Sequence, residues 1–184
     1  MKHSLKFRTA QILDIQKLID LINSAYRQQQ ENSWTSEVEM VTGTRINAEQ
    51  LAQMLADDHF KLFVVEHAEE IVGCIGLTFN PIQVEIGTFC IAPKMQNHGV
   101  GKKVLDFAEH YVRNQMLSIH PDLTHFVMWV LSVRHELIAY YERRGYRSTG
   151  HIDDYPLSAN VGIPIVGLHL VEMKKSIPNG SHAD

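Results

Sequence analysis

The amino-acid sequence predicts a mixed α/β protein in which strands and helices alternate along one domain, residues 1–175, followed by a loose polar tail, residues 176–184. Three observations predict this class. Apolar residues recur at helical spacing after residue 11 and again after Gly99. Other apolar runs are short, rich in β-favouring residues and bounded by turn residues. The stretch 84–105 joins a strand, a glycine-bearing turn and an amphipathic helix.

Taken in order, the segments read βααβββαβαββ. The first half predicts a strand at 5–9, a helix over 11–28, a second helix over 47–55 that Asn47 caps, and strands at 60–66, 71–79 and 84–91. An acidic stretch at 67–70 and Asn80-Pro81 mark the turns between these strands. The second half predicts a helix after Gly99, a buried strand at 125–133, a helix over 134–144 that Gly145 ends, and strands at 146–149 and 165–173.

The composition narrows the class of protein. The chain has 184 residues, 45% hydrophobic and 21% charged, with a formal net charge of −4, which argues against non-specific nucleic-acid binding. Cys74 and Cys90 lie in apolar runs, which predicts buried thiols in a reducing compartment. No signal peptide or membrane-spanning run is found, so a cytoplasmic protein is expected. His135-Glu136 begins a zinc motif that Ala139 interrupts, so no metal is expected.

The turn from Gln96 to Gly101 excludes two nucleotide-binding motifs. A P-loop requires Ser or Thr where Lys103 stands, and a dinucleotide fingerprint requires a third glycine where Val104 stands. What remains is Gln-x-x-Gly-x-Gly at the start of a helix, where unpaired N–H groups favour phosphate. An ordinary strand–helix turn with glycines for geometry is the alternative.

This turn resembles the acetyl-CoA-binding motif of the GNAT superfamily of N-acetyltransferases, Arg/Gln-x-x-Gly-x-Gly/Ala. The segment Tyr141 to Tyr146 resembles the family's Tyr-x-x-x-Gly-Phe, whereas Arg134 and Leu137 stand where an Asn and an Ala are usual. The resemblance covers nearly the whole chain. It implies the GNAT acyl-CoA N-acyltransferase fold: a central mixed, mostly antiparallel sheet flanked by helices.

The resemblance also implies a donor site for acetyl-CoA, with CoA as the product. Backbone groups of Phe89, Cys90 and Ile91 would hold pantetheine and polarise the thioester carbonyl. The turn would hold the pyrophosphate through Gln96, Asn97, His98, Gly99, Val100, Gly101 and Lys102. Lys102 and Lys103 are also ordinary solvated helix lysines in the alternative reading.

Two residues are candidates for proton transfer. Tyr141 would protonate the departing CoA thiolate, for which a phenol is well matched, unless it is a core tyrosine. Glu85 lies eleven residues before Gln96, the spacing of the general base in histone-type members, unless it faces solvent. Cys90 has no His or Asp placed to activate it and is expected to be structural.

The acceptor site is predicted from the first loop and the last strands, with Trp34, Glu37, Arg45 and Tyr155 as candidates. Trp34 packing beneath the first helices is the alternative, and Arg45 is suited to a substrate carboxylate. The sequence thus predicts an N-acetyltransferase acting by direct attack of a small-molecule or protein amine in a ternary complex. A non-catalytic acyl-CoA sensor is the alternative. The resemblance allows a homodimer, of which the residues themselves give no sign.

Overall fold

The computed structural model describes residues 4–28 and 36–178. Seven strands form one sheet in the order β1-β3-β4-β5-β6-β9-β7, and a short pair, β2 and β8, forms a second. The strands are β1 (Lys6–Thr9), β2 (Val41–Thr42), β3 (Phe60–His67), β4 (Glu70–Phe79), β5 (Gln83–Ile91), β6 (His125–Leu131), β7 (Arg147–Asp153), β8 (Ile163–Pro164) and β9 (Leu170–Ser176). The helices are α1 (Ile15–Arg27), α2 (Ala48–Ala56), α3 (Val100–Tyr111) and α4 (His135–Glu142).

The large sheet is mostly antiparallel. Of its neighbouring pairs, only β5 and β6 run parallel. Because alternate residues of a strand point to opposite faces, β3 contributes to two separate apolar layers. Phe63 and Val65 face α3 and α4, whereas Leu62 and Val64 face α1 and α2. The predicted fold class, a mixed sheet flanked by helices, is confirmed.

Local signals position the helices as predicted. Asn47 caps α2, since its side chain accepts from Gln50 N at 2.9 Å while the Gln50 side chain accepts from Asn47 N. Gly145 follows α4 with φ +91°, the left-handed conformation expected of a C-terminal glycine. The predicted first helix is split, because one tighter turn at 12–14 precedes α1.

The last strand begins later than predicted. The expected strand at 165–173 is wrong in its first half: Ile165 and Val166 are exposed, and β9 spans Leu170–Ser176. The apolar run 163–166 begins with the two-residue strand β8, which pairs with β2, and it does not enter the large sheet. The predicted boundary between domain and tail falls within β9, and beyond it Ile177 is buried and donates its backbone N–H to Thr124 O.

Among the described residues, no helix has the length and apolar character needed to span a membrane.

Candidate active site

The parallel strands β5 and β6 separate part-way along their length. They pair at Gln83 with His125, at Val84 with Phe126 and at Glu85 with Val127, while both continue beyond that point. A cavity of about 560 Å3 opens along the remainder, within the size range of ligand-binding clefts. Beyond Glu85 this separation leaves one edge of β5 without a strand partner among the described residues.

A bulge bends β5 at the same place. Gly76 of β4 faces Gly87 and Cys74 faces Cys90, so β5 carries one more residue than β4 between these pairs. Thr88 sits in the bulge with φ +46°, a left-handed conformation that a β-branched residue rarely adopts. Such backbone strain clusters at functional sites, and Gly87 to Ile91 all line the cavity.

The predicted phosphate loop borders one end of the cavity. Asn97 and Gly99 both have positive φ, +62° and +72°, and Gly99 directly precedes α3. The backbone N–H of Lys103 donates to Gly99 O. The N–H groups before it in the first turn of α3 point toward the start of the helix and are available to a ligand. Alternating left-handed residues curve N–H groups into a concave anion site. The loop therefore has the backbone geometry that a pyrophosphate requires.

The members of this loop differ in what they do. The Gln96 side chain turns inward and donates to Ile91 O at 2.8 Å, which ties the loop to the end of β5. Gln96, Asn97, Gly99, Gly101 and Lys102 line the cavity. The side chain of Val100 is buried in the core, and His98 contacts Gln96 O instead. The structure thus places neither His98 nor Val100 in the cavity lining.

Glu85 lies where the two strands part. Its carboxylate lines the cavity and is half-buried, and burial raises its pKa. Among the described residues it forms no ion pair and accepts no hydrogen bond. A carboxylate that burial makes more basic and that no cation neutralises is suited to accept a proton.

Tyr141 comes to the same cavity from α4. It is buried, and its ring packs edge-on against those of Tyr140 and Tyr146. Burial raises the pKa of Tyr141, and the nearby Arg134 opposes this shift. The phenol is therefore protonated at neutral pH and is available as a proton donor.

The two cysteines lie against each other inside the sheet. Cys74 Sγ is 3.6 Å from Cys90 Sγ, and both residues are fully buried. The contact with Cys90 and burial raise the pKa of Cys74. The structure agrees with the expectation that Cys90 is a structural thiol, and only its backbone is a candidate for cofactor contact.

Three of the four predicted acceptor residues lie in the cavity wall, and the part of the wall that they form is called the acceptor end. Glu37, Arg45 and Tyr155 all line the cavity, while Trp34 lies outside the described residues. Glu37 pairs with Arg27 at 2.6 Å, whereas the Arg45 guanidinium lies over the ring of Tyr26 at 5.4 Å. Tyr155 donates its hydroxyl to Val161 O at 3.0 Å.

Comparison with known proteins decides the family. The sequence matches the Acetyltransferase (GNAT) family over residues 16–146. The chain belongs to the GNAT family of acetyltransferases. It is 27% identical over 151 residues to an S-alkylcysteine N-acetyltransferase of Bacillus subtilis (strain 168), a match that covers 76% of this chain and 77% of that relative.

Solved structures show the same fold. A spermidine N-acetyltransferase from Vibrio cholerae, in complex with CoA and spermine, superposes with a TM-score of 0.66 at 20% identity, covering 95% of this chain and 96% of that one. A ribosomal-protein alanine N-acetyltransferase from Escherichia coli gives a TM-score of 0.68 at 11% identity, covering 98% and 99%.

This GNAT chain departs from the family motif at Arg134, and the structure shows what the arginine does. Arg134 is 3% exposed, directly precedes α4 and lines the cavity. Its guanidinium bonds to Glu136 and donates to Ser36 O at 3.2 Å. The arginine therefore connects the start of α4 with the loop that carries Glu37.

Sequence reasoning missed Tyr26 and Thr88. Tyr26 donates its hydroxyl to Phe89 O at 2.8 Å across 63 residues of sequence, a contact that helical periodicity does not reveal. Thr88 reads as an ordinary strand residue. Its bulge becomes visible only in the register of β4 against β5.

Proposed function

We propose that this protein transfers the acetyl group of acetyl-CoA to a primary amine, by direct attack in a ternary complex. The observation that carries the proposal is Glu85, a half-buried carboxylate without a cationic partner among the described residues, at the point where β5 and β6 separate. Tyr141, a buried phenol on the same cavity, supplies the complementary proton donor.

The residues present fit acetyl-CoA. The left-handed Gly99 and the first turn of α3 offer N–H groups to a pyrophosphate, and Lys102 adds a positive charge beside them. The free edge of β5 at Phe89, Cys90 and Ile91 offers backbone groups to an extended pantetheine arm. When bound, acetyl-CoA supplies an acetyl group activated as a thioester.

In this mechanism Glu85 takes a proton from the acceptor ammonium, directly or through one water, so that the neutral amine can attack the thioester carbon. The C–N bond forms as the C–S bond breaks, and Tyr141 gives its proton to the leaving sulfur. Backbone N–H groups on the free edge of β5 stabilise the negative charge that develops on the carbonyl oxygen. The attacking nitrogen still carries a second ammonium proton, which passes to the Tyr141 phenolate and restores the phenol. Glu85 then releases the first proton to solvent, so that one proton is released for each amide formed.

The first experiment is calorimetric titration with acetyl-CoA and CoA, with ATP and NAD as controls. Saturable binding of acetyl-CoA and CoA alone is expected. Thiol release is then followed with three acceptors: an S-alkylcysteine, spermidine and a peptide with an N-terminal alanine. Each represents the acceptor for which one of the similar acetyltransferases is named. Binding of neither acetyl-CoA nor CoA would remove the basis for the proposal.

Two substitutions separate an enzyme from a non-catalytic acyl-CoA sensor. Glu85→Gln and Tyr141→Phe are each expected to lower kcat about 10²- to 10⁴-fold while acetyl-CoA affinity stays unchanged. Glu69→Gln, on the exposed hairpin between β3 and β4, and Tyr111→Phe, outside the cavity lining, are matched controls. Full activity in both active-site variants would refute the assigned roles.

The pH dependence gives a second readout. Because burial raises the pKa of Glu85, kcat/KM of the natural chain is expected to fall with decreasing pH from above the ordinary carboxyl range near 4.3. This acidic limb is expected to vanish from the residual activity of Glu85→Gln. An unchanged limb would assign the ionisation to another group.

A further inference from the structure

Arg45 is a cation on the cavity wall without a carboxylate partner among the described residues. The other two arginines near the acceptor end are paired, Arg27 with Glu37 and Arg134 with Glu136. Arg45 is half-buried, lines the cavity and forms no ion pair with any residue in 4–28 or 36–178. Its guanidinium therefore keeps its hydrogen-bonding fork for a ligand.

Helix α1 holds Arg45 in place. Asn23 Oδ1 accepts from Arg45 N at 2.7 Å and from Ile46 N at 3.2 Å, while Asn23 Nδ2 donates to Ile46 O at 2.9 Å. Tyr26 lies three positions after Asn23 on the same face of α1, and its ring packs against the Arg45 guanidinium. Backbone and side chain are thus both positioned by α1, so that less entropy is lost when a ligand binds.

Tyr26 also relates Arg45 to the reacting end of the cavity. Its hydroxyl donates to Phe89 O on β5, and its ring lies beneath the Arg45 guanidinium. One aromatic side chain therefore separates the arginine from the strand proposed to hold the thioester. An acceptor group bound by Arg45 would lie within a small molecule's length of that strand.

The carboxylates of the cavity are less available than the arginine, apart from Glu85. Glu37 is neutralised by Arg27, and Asp153 is exposed and accepts from the backbone N–H of Asp154. A polyamine, which presents several separated cations, needs several unpaired carboxylates. The acceptor end instead offers one half-buried carboxylate, Glu85, and one half-buried guanidinium, Arg45. The half-buried Arg144 also lines the cavity, but its guanidinium lies over the ring of Tyr140, whose hydroxyl is near Gly101 of the phosphate loop.

We propose that the acceptor is a free amino acid, whose carboxylate binds Arg45 while its amino group faces Glu85. This inference rests on the proposed function and names its substrate class. A zwitterion complements the two unpaired charges, and a planar carboxylate matches the fork of a guanidinium. A peptide N-terminus or a simple amine lacks the carboxylate and leaves Arg45 without a partner.

The test begins with thiol release from acetyl-CoA in the presence of each of the twenty L-amino acids and S-methyl-L-cysteine. The best of these is then compared with its carboxamide and with the decarboxylated amine. The carboxamide also represents a peptide N-terminus. We expect kcat/KM to fall about 10- to 100-fold for both analogues, as for the loss of a charge-assisted hydrogen bond.

The variant Arg45→Gln completes a cycle with these acceptors. It is expected to lose the same 10- to 100-fold in kcat/KM for the amino acid, mainly through KM, and almost nothing for the carboxamide. Its KM for acetyl-CoA should not change. Arg143→Gln, an equal loss of charge at an exposed residue outside the cavity lining, is the matched control and should behave as the natural chain.

Either of two results would overturn the inference while the transferase stands: faster transfer to an amine without a carboxylate, or an amino-acid preference that Arg45→Gln leaves intact. If spermidine or a peptide is acetylated and none of the amino acids is, this counts as faster transfer to an amine without a carboxylate and overturns the inference. If no acceptor releases thiol, the transferase proposal fails and this inference falls with it.

Discussion

Glu109 is a buried carboxylate that joins α3 to β9 and to the segment after α4. Lys175 Nζ lies 2.8 and 2.6 Å from its two oxygens, and Arg113 donates to it at 2.7 Å. Tyr146 donates its hydroxyl at 2.9 Å, and burial together with this carboxylate raises the pKa of Tyr146, so the hydroxyl stays protonated. We predict that Glu109→Gln destabilises the protein substantially.

The magnitude follows from the exposure of the partners. Removing one member of a buried ion pair costs about 3–5 kcal/mol when the other member is left as an uncompensated buried charge. Lys175 and Arg113 keep 23% and 31% of their side-chain surface exposed, so water recovers part of this cost. Tyr146 is fully buried and keeps an amide oxygen as its acceptor. We therefore expect a loss of about 2–3 kcal/mol.

Urea unfolding followed by circular dichroism measures this loss, with an unchanged m-value as the sign of two-state unfolding. For a chain of this length the midpoint temperature should fall by about 4–12 °C. Glu142→Gln, at an exposed position on α4, should stay within about 0.5 kcal/mol of the natural chain. A loss below about 1 kcal/mol for Glu109→Gln would refute the reasoning, since the ion cluster would then contribute no more than a surface pair.

Two further predictions concern the phosphate loop and acid stability. Gly99→Ala should lower the free energy of unfolding by about 1–2 kcal/mol, because Gly99 has φ +72°. Gly101→Ala should be neutral or stabilising, because Gly101 is helical and the nearest atom to an added Cβ lies at 3.7 Å. Calorimetry without CoA measures both, and the reverse order of stabilities would contradict this reasoning. Arg8 lowers the pKa of Asp14, so their stabilisation is present above about pH 4 and is lost as pH falls through the lowered value. Arg8→Gln should thus lose stability at pH 7 and converge with the natural chain in acid, and a pH-independent difference in urea unfolding would contradict the assignment.

The sequence was sufficient for those features whose signals are local. The cap at Asn47, the left-handed Gly145 and the helical stripe of α3 each depend on residues within a few positions of one another. The family motif lies in one such local stretch, so the sequence could name each residue of the proposed phosphate loop, although His98 and Val100 lie outside the cavity lining. The late start of β9 was missed because the apolar run 163–166 has strand composition but remains exposed.

The acceptor end depends on contacts that no local pattern encodes. The ion pair of Glu37 with Arg27 changes a candidate amine-binding carboxylate into a neutralised structural group. Arg45 gained support as a ligand-binding cation only because the structure shows no carboxylate beside it among the described residues. Such assignments depend on which partner a charge finds in three dimensions, and periodicity along the chain does not determine that partner.

Tyr26 contacts both β5, the strand proposed to hold the donor, and Arg45 at the acceptor end of the cavity. Amide formation requires the acceptor nitrogen and the thioester carbon to approach within about 3–3.5 Å, so an error of 1 Å in their relative position is costly. Tyr26 touches Phe89 on the donor strand through its hydroxyl and Arg45 on the acceptor side through its ring. Because α1 also fixes the Arg45 backbone through Asn23, one rigid helix sets the distance between the proposed carboxylate site and β5. The bulge at Thr88 lies next to the carbonyl that Tyr26 holds, so the strained strand segment and the acceptor site are positioned by the same hydrogen bond.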